Sequence, residues 1–337
     1  MSSSTNLSYK AVRVPKAGPS SIMNVETLPA LPFPDKGQIL VQVHCIGINP
    51  VETYIRSGNY ATIPSYPYTP GGCCSGIVVS VGKDVTKFKT GDRIYSARTI
   101  SGAYAENALI DESYAWHLPN SISFAEGAAL GVPFHTAYRS IFSKAKLKST
   151  QSILIHGASG GVGIACLQMA KSIGCQLILG SAGSSIGIDA ITPFCDHVIS
   201  HGDIDGVLSL TKNKGVDVII EMASHKNLGN DLKMLASNGT IVIVGSRGPV
   251  EVNPRDVMAR EATITGVMLW LANEQEFEEA ANFIEQGLLS KRLKAIIGHL
   301  YKGLDKASEA HDEVISHTKG TVGKIVIQIR EEKEENV

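Results

Sequence analysis

A glycine-rich turn between a short apolar run and a helical pattern constrains the fold of this chain more than any other stretch. The short run SILI at 152–155, apolar after its serine, leads into HGASGGVG at 156–163, after which apolar residues recur at helical spacing. In the order strand, turn and helix, glycines let the backbone approach a pyrophosphate, and free N–H groups at the helix start attract its charge. The stretch predicts a dinucleotide-binding loop. An ordinary glycine-rich turn is the alternative, because Ala158 replaces the first glycine of the G-x-G-x-x-G pattern.

The residues after this turn alternate between apolar runs and helical patterns. Runs of strand composition occupy 176–181, 217–222 and 240–245, with helix-like stretches between them. This alternation is typical of a doubly wound parallel sheet, in which ligands bind at the carboxyl ends of the strands. It favours dinucleotide binding over an isolated glycine turn and predicts an α/β fold.

The end of the second strand of this block indicates which dinucleotide binds. An NAD site usually has Asp or Glu there, where the carboxylate holds the ribose 2′-hydroxyl. Here the residues LGSAGSS at 179–185 are small and uncharged, so nothing repels a 2′-phosphate and serines can hydrogen-bond it. We therefore predict NADPH. No Lys or Arg adjoins Ser181, so a balancing group must come from elsewhere; His201 is a candidate, and a surface-loop histidine is the alternative.

The two ends of the chain have a different pattern from the middle. Residues 8–125 have strand composition interrupted by prolines and glycines, typical of a small barrel, and helical periodicity appears at 124–146. A last apolar strand at 323–329 needs a sheet edge, and the β-rich amino-terminal part offers one. We predict a catalytic domain of residues 1–127 and 268–337, a nucleotide-binding domain at 128–267 inserted into it, and an active site in the cleft between them.

Composition excludes several classes of partner. Lys and Arg total 31 against 32 for Asp and Glu, so the overall charge attracts neither nucleic acid nor a membrane surface. Lysines at 144–148 and 212–214 form either a local patch or a solvated face. Six cysteines without C-x-x-C spacing are typical of reduced thiols and predict a cytoplasmic protein. No apolar run reaches the roughly 18 residues of a membrane-spanning helix.

Five longer motifs carry a resemblance to a known family. They are NPVETYIRSG at 49–58, ISGAYAE at 100–106, the glycine turn at 156–163, VGSRG at 244–248 with NPRD at 253–256, and AHDE at 310–313. With them the chain resembles the medium-chain dehydrogenase/reductase superfamily over essentially its full length, most closely the zeta-crystallin-type quinone oxidoreductases. The resemblance implies a Rossmann doubly wound parallel sheet inserted into a GroES-like β-barrel catalytic domain, with NADPH as the cofactor.

The resemblance also bears on metal binding. Zinc-dependent relatives carry a cysteine ligand after Gly-Ile and a His-Glu pair after Pro-Gly. This chain has GIN at 47–49 and PGGC at 70–73, so the resemblance implies the zinc-free branch; a metal held by Cys73 and Cys74 is the weaker alternative. Relatives usually have Asp where this chain has Cys73, so a thiol replaces a carboxylate at the wall of the pocket.

Two side chains of the 49–58 motif are the candidates for the catalytic pocket. Asn49 has an amide that donates and accepts hydrogen bonds, and Tyr54 has a phenol and a ring face for a quinone or the nicotinamide. A turn residue before proline and a packed aromatic are the respective alternatives. The resemblance places cofactor contacts at Tyr54, Ser159, Gly160, Gly161, Val162, Gly183, His201, Asn227, Val244, Gly245, Ser246, Arg247, Val267, Met268 and Leu269. For Arg247, a salt bridge between domains is the alternative.

The resemblance implies an NADPH-dependent quinone reductase, with one-electron reduction of ortho-quinones as the expected reaction. Hydride transfer to α,β-unsaturated carbonyls such as 2-alkenals is the closest alternative, and the residue pattern does not separate the two. A non-catalytic NADPH binder is a third possibility, as is binding of AU-rich RNA, although phosphate contacts need clustered cations. The resemblance also implies a homodimer or homotetramer, formed through an edge strand such as 263–267.

Overall fold

The computed structural model describes residues 8–318, 320 and 322–332, and the chain divides into two compact units. The β unit combines Met1–Val132, Ala295–Lys319 and Lys324–Val337, and the α/β unit combines Pro133–Lys294 and Gly320–Gly323. The outermost ends of the predicted catalytic domain, 1–7 and 333–337, lie outside the described residues.

The first part of the β unit is dominated by antiparallel strands. Its longest strand, β3, is mostly buried and pairs antiparallel with both β4 and β6. The elements in order are β1 (Tyr9–Arg13), β2 (Asn24–Leu28), β3 (Gln38–Gly47), α1 (Pro50–Ser57), β4 (Cys73–Val81), β5 (Arg93–Ser96), β6 (Asn107–Asp111), β7 (Ala115–His117) and α2 (Phe124–Ala128).

The α/β unit is built on a parallel sheet with the strand order β10-β9-β8-β11-β12-β13. Its elements are α3 (Gly131–Tyr138), β8 (Ser152–Ile155), α4 (Gly161–Ser172), β9 (Leu177–Ser181), α5 (Ser185–Ile191), β10 (His197–Ile199), α6 (Ile204–Leu210), β11 (Val216–Glu221), α7 (Ser224–Met234), β12 (Leu235–Ile243), α8 (Pro254–Met258), β13 (Thr263–Gly266) and α9 (Glu274–Leu289). The order reverses between β8 and β11, which is where doubly wound sheets bind ligands. The predicted doubly wound fold is confirmed.

The chain then returns to the β unit through β14 (Ile297–Lys302), α10 (Ala307–Ser316) and β15 (Lys324–Gln328). β15 pairs antiparallel with β3, so the last apolar strand joins the amino-terminal sheet as predicted. Apolar side chains from β3, β4, β6 and α10 form the core of this unit, whereas the α/β unit has its own core of β8, β11 and α7 residues. All six cysteines are free. No described helix is long and apolar enough to cross a membrane.

Both domain boundaries differ from the sequence-based expectation. Residues 268–294, expected in the catalytic domain, belong to the α/β unit, and the other boundary lies at 132 rather than 127. The reason is aromatic packing of α9: the Phe283 ring lies 5.6 Å from Tyr138 and 5.0 Å from Phe142, centroid to centroid. Arg139 also forms an ion pair with Glu276. These contacts attach α9 to the beginning of the α/β unit.

Candidate functional site

The glycine turn connects β8 to α4 at the carboxyl edge of the parallel sheet. Gly157 has a φ of 57°, in the left-handed region that favours glycine. Ala158 is buried and donates its N–H to the Ser181 carbonyl at 3.0 Å. An alanine at the first position of the pattern is therefore compatible with this turn, because Gly157, one residue earlier, has the required backbone conformation.

Gly163 allows α4 to begin directly on this turn. A Cβ at Gly163 would lie 2.4 Å from the Gly157 carbonyl oxygen and 2.6 Å from Ala158 Cα, which no side chain tolerates. The first N–H of α4 bonded within the helix is that of Ile164, which donates to the Gly160 carbonyl at 2.9 Å. The N–H groups before it have no helical acceptor and are available to an anion at the helix N-terminus.

The remaining predicted loop residues lie in the same turn. Ser159 is buried, and its carbonyl accepts a hydrogen bond from the Gly323 N–H at 2.7 Å. Gly161 and Val162, the first two residues of α4, are half-buried. The structure therefore brings Ser159, Gly160, Gly161 and Val162 together around one helix start.

Gly183 and His201, expected at the adenosine end, are also neighbours. A Cβ at Gly183 would lie 3.2 Å from His201 Nε2, so the glycine lets the ring approach the main chain after β9. The Ser181 hydroxyl is hydrogen-bonded to His201 Nδ1 at 3.1 Å. Burial lowers the pKa of His201, and the nearby His156 and Lys226 lower it further, so the ring is neutral at pH 7.

Buried acidic residues lie behind the turn. His156 follows β8, and its Nε2 lies 3.0 Å from Asp231 Oδ1 and 3.9 Å from Glu221 Oε2. Burial, together with Asp231, raises the pKa of Glu221 to about 7. Asn227, a predicted cofactor contact, donates from Nδ2 to both Glu221 oxygens at 3.2 and 3.1 Å, which leaves its carbonyl oxygen for a ligand.

The other predicted cofactor residues follow β12 and β13 at the same edge of the sheet. Val244 and Gly245 both donate their N–H groups to the Glu221 carbonyl, at 2.9 and 3.2 Å. The Arg247 N–H donates to His225 Nδ1 at 3.1 Å, and Ser246 Oγ donates to the Gly248 carbonyl at 2.9 Å.

After β13, the Val267 N–H donates to the Ile243 carbonyl at 3.0 Å, which ties this segment to the end of β12. Met268 is exposed and Leu269 buried. Residues 244–247 and 267–269 are thereby brought to adjacent strand ends.

In the β unit, Asn49 precedes α1 and is buried. Its Nδ2 donates to Glu52 Oε1 at 2.9 Å and to the Gly47 carbonyl at 3.3 Å, and its Oδ1 accepts from Lys324 Nζ. The amide expected to contact the substrate is hydrogen-bonded to protein groups. Asn49 thereby holds Glu52 and Lys324 in place, and its contact with the substrate stays a prediction.

A buried hydrogen-bonded chain extends from Glu52. The Tyr104 hydroxyl donates to Glu52 Oε2 at 2.7 Å and lies 2.9 Å from His311 Nε2, while Arg56 Nε donates to His311 Nδ1 at 3.2 Å. Burial and the Arg56 charge lower the pKa of His311 to about 3, so its ring is neutral. Tyr54, the second catalytic candidate, is half-buried later in α1.

The donor atoms around Asn49 do not fit catalytic zinc. Cys73 Sγ accepts hydrogen bonds from the Val132 N–H at 3.2 Å and from Asn49 Nδ2 at 3.4 Å. Burial raises the pKa of this thiol, with Lys324 opposing the shift, and lowers the pKa of Lys324. One thiol beside an amide and an amine does not supply the set of thiolate, imidazole and carboxylate ligands that zinc needs. In the part of the chain described, the one cluster of three His, Cys, Asp or Glu donors is His156, Glu221 and Asp231.

Comparison with known proteins agrees with this architecture. The family described as "Alcohol dehydrogenase GroES-like domain" matches residues 35–120, and "Zinc-binding dehydrogenase" matches residues 161–286. The quinone oxidoreductase of Rattus norvegicus is 43% identical over 322 residues, covering 94% of this chain and 97% of the relative. The human quinone oxidoreductase is 42% identical with the same coverage, 94% and 97%. The chain belongs to the quinone oxidoreductase family, within the medium-chain dehydrogenase/reductase superfamily.

Solved structures of this superfamily share the fold over nearly the whole chain. The Escherichia coli quinone oxidoreductase complexed with NADPH has a TM-score of 0.86 at 27% identity, covering 95% of this chain and 100% of that one. A mycobacterial protein complexed with NADPH has a TM-score of 0.87 at 26% identity, again covering 95% and 100%.

Sequence reasoning missed several residues that the structure adds to these sites. Lys226 and His225 occupy the first turn of α7, directly after the carboxyl end of β11, where the rule for doubly wound sheets would have pointed to them. Glu52 also had a signal, since it follows Asn49 at the spacing of a capping box, whereas Lys324 had none because its partner Asn49 lies far away in sequence.

Proposed function

We propose that this protein binds NADPH and uses it to reduce quinones, without zinc. One observation carries the proposal: the phosphate turn at 156–163 lies beside the end of β9. Residues 181–183 there include no carboxylate and contact His201. Quinone oxidoreductases at 43% identity and solved relatives named as NADPH complexes support it.

In this proposal the residues of the α/β unit bind and orient the cofactor. The N-terminus of α4 holds the pyrophosphate with main-chain N–H groups, and Gly183 and His201 bind the phosphorylated ribose. The main-chain groups at 244–247 and 267–269 support the nicotinamide, with Tyr54 as a further contact. NADPH, when bound, supplies the electrons for the reduction.

In the β unit, the protein groups act by keeping the pocket wall rigid and polar. Glu52 accepts hydrogen bonds from the Asn49 and Gly72 N–H groups, at 2.9 and 3.2 Å, and from Tyr104 at 2.7 Å. A fully satisfied network of this kind holds its members in one arrangement. Lys324 Nζ donates to Asn49 Oδ1 in the same buried wall.

Steady-state assays test the substrate assignment. With NADPH, turnover of 1,2-naphthoquinone should exceed that of 2-alkenals, and detection of radical product by electron paramagnetic resonance should identify one-electron reduction. Turnover of 2-alkenals alone would replace the quinone assignment with enone reduction. Calorimetry should give tighter binding of NADPH than of NADH, and elemental analysis should find no stoichiometric zinc in the active protein.

The proposal includes a homodimer formed through β13. This strand ends the parallel sheet, and Ile264 on it is 36% exposed, with Met258 and Leu271 exposed nearby in sequence. An unpaired edge with apolar side chains is suited to pairing with a second copy. A cytoplasmic location is also proposed and rests on the six free cysteines.

Binding of AU-rich RNA has weaker support, because the chain carries a net charge of −1. Gel shifts at increasing salt decide this point: retention of RNA that weakens steeply with salt would add RNA binding, and no retention at low salt would exclude it.

A further inference from the structure

A line of polar side chains runs from the interior of the α/β unit to the proposed 2′-phosphate site. His156 Nδ1 lies 3.0 Å from Ser181 Oγ, and Ser181 Oγ lies 3.1 Å from His201 Nδ1. At the inner end, His156 Nε2 faces Asp231 Oδ1 at 3.0 Å. Asp231, Ser181 and His156 are almost completely buried, whereas His201 is exposed. Binding the dinucleotide does not by itself require an acid at the inner end of this line.

The inner acid stabilises the charged form of His156. Asp231 is fully buried and its Oδ1 lies 3.0 Å from His156 Nε2, so the ion pair with His156 compensates this buried carboxylate. Burial alone lowers the pKa of His156, but Asp231 and Glu221 outweigh it and raise the pKa above its ordinary value. A protonated ring carries hydrogens on both nitrogens, so His156 Nδ1 donates to Ser181 Oγ.

The charge on His156 sets the direction of the next hydrogen bond. A serine hydroxyl has one hydrogen, and because Ser181 accepts from His156, its own hydrogen is donated to His201 Nδ1. The neutral His201 ring then carries its hydrogen on Nε2, the atom that lies beside Gly183. An Nε2–H group is a donor to a phosphate oxygen.

A neutral His156 would reverse the direction of donation in these two hydrogen bonds. With its hydrogen on Nε2, facing Asp231, its Nδ1 would accept from Ser181, and Ser181 would in turn accept from His201 Nδ1. His201 Nε2 would then be an unprotonated acceptor, whose lone pair faces the phosphate oxygens unfavourably. The two arrangements contain the same atoms at the same distances and differ in where the hydrogens lie.

We propose that Asp231, acting through His156 and Ser181, holds His201 in the Nε2–H form and thereby sets the preference for NADPH over NADH. This inference rests on the proposed function, since it assumes that the 2′-phosphate lies beside Gly183 and His201. Asp231, Ser181 and His156 are positioning residues in this scheme, and His201 is the group that contacts the phosphate. The scheme explains how a site with no Lys or Arg next to Ser181 in the sequence uses His201, which lies near Lys226, to select the phosphorylated cofactor.

The first test is Asp231→Asn, which keeps the size of the side chain and an acceptor oxygen but removes the charge. We expect the NADPH dissociation constant to rise about 10- to 100-fold, the effect of losing one hydrogen bond to a charged group, and the NADH constant to change less than about twofold. Nitrogen-15 NMR of the histidine side chains should show His201 as the Nε2–H form in the wild type and as the Nδ1–H form in the variant.

Asp217→Asn is the matched control. Asp217 accepts from the Ser152 N–H and hydroxyl, both at 2.7 Å, at the opposite end of β11, so its loss should lower stability without changing the ratio of the two affinities. If Asp231→Asn does not fold, Ser181→Ala interrupts the line without changing any charge and should reduce the same ratio.

Four results would overturn the inference or its basis. A wild-type His201 in the Nδ1–H form rules out the proposed direction. A folded Asp231→Asn with an unchanged affinity ratio rules out the role of the acid while leaving NADPH binding intact. A stoichiometric metal in the wild type that is lost in Asp231→Asn assigns these side chains to an ion instead. A wild type that binds neither dinucleotide removes the proposed function itself.

Discussion

Replacing Gly163 by alanine tests whether α4 must begin directly on the phosphate turn. The added Cβ would lie 2.4 Å from the Gly157 carbonyl oxygen, and real Cβ atoms essentially never come closer than 3.0 Å, so the backbone must move by at least about 0.6 Å. Forcing a methyl group into a packed interior costs about 1–3 kcal/mol. For a unit of this size, each kcal/mol lowers Tm by about 2–4 °C.

The same displacement should weaken cofactor binding. The N–H groups at the start of α4 would no longer converge on the pyrophosphate, and losing one hydrogen bond to a charged group corresponds to about a 10- to 100-fold higher Kd for NADPH. Calorimetric titration with NADPH and thermal unfolding of the unliganded variant measure the two effects separately.

Gly229→Ala is the control for a helical glycine in the same unit. No atom lies within 4 Å of its added Cβ, and alanine is favoured over glycine inside a helix by about 0.5–1 kcal/mol, so Tm should stay level or rise. A Gly163→Ala protein with wild-type Tm and wild-type NADPH affinity would refute the close-approach argument.

Three further predictions concern other parts of the molecule. Gly183→Ala brings a Cβ within 3.2 Å of His201 Nε2, so calorimetry should show NADPH affinity falling about 3- to 10-fold, more than NADH affinity; equal losses would contradict the placement of the 2′-phosphate. His311 has a pKa of about 3 in the folded protein and about 6.5 in the unfolded chain. As pH falls from 6.5 towards 3, the unfolded chain binds a proton that the folded protein does not. The free energy of unfolding therefore falls by about 1.4 kcal/mol per pH unit over this range. Urea titrations at pH 6.5 and 5 should therefore show a smaller loss for His311→Asn than for the wild type, and identical pH dependence would refute the neutral buried ring. Ile264→Lys places a charge on the exposed β13 edge and should shift the mass measured by light scattering from dimer to monomer, whereas an unchanged dimer would place the interface elsewhere.

The parallel sheet and the phosphate turn were predictable because their signals are local. A run of apolar residues, a glycine cluster and a helical pattern follow one another within a short stretch, and the absence of a carboxylate after β9 is visible in the residues themselves. Even Ala158 at a glycine position is understandable in these terms, since Gly157 beside it has the positive φ. The predicted joining of β15 to the amino-terminal sheet was likewise correct, because an isolated apolar strand needs an edge.

The parts that could not be predicted depend on contacts between distant residues. The amphipathic pattern of α9 shows that one face of the helix is buried, but it does not show against which of the two cores. The contacts of Phe283 with Tyr138 and Phe142 show that α9 packs on the α/β unit. Asn49 has the same chemistry whether its amide is free or occupied, and only the folded chain shows Lys324 beside it. The charge of His156 similarly depends on Asp231, which a periodic pattern places on a helix without indicating its partner.

The hydrogen bonds of Glu52 limit which substitutions this family can accept around it. Its two oxygens accept hydrogen bonds from Asn49, Gly72 and Tyr104, so the residue before α1, the approach to β4 and the loop before β6 share one buried carboxylate. Exchanging the side chain of Asn49, Tyr104 or Glu52 itself would leave a buried partner unsatisfied and costs about 1–3 kcal/mol, whereas Gly72 donates from its main chain. Substitutions in this wall that change the substrate range should therefore occur in compensating pairs. A single substitution of one of these side chains should be deleterious on its own.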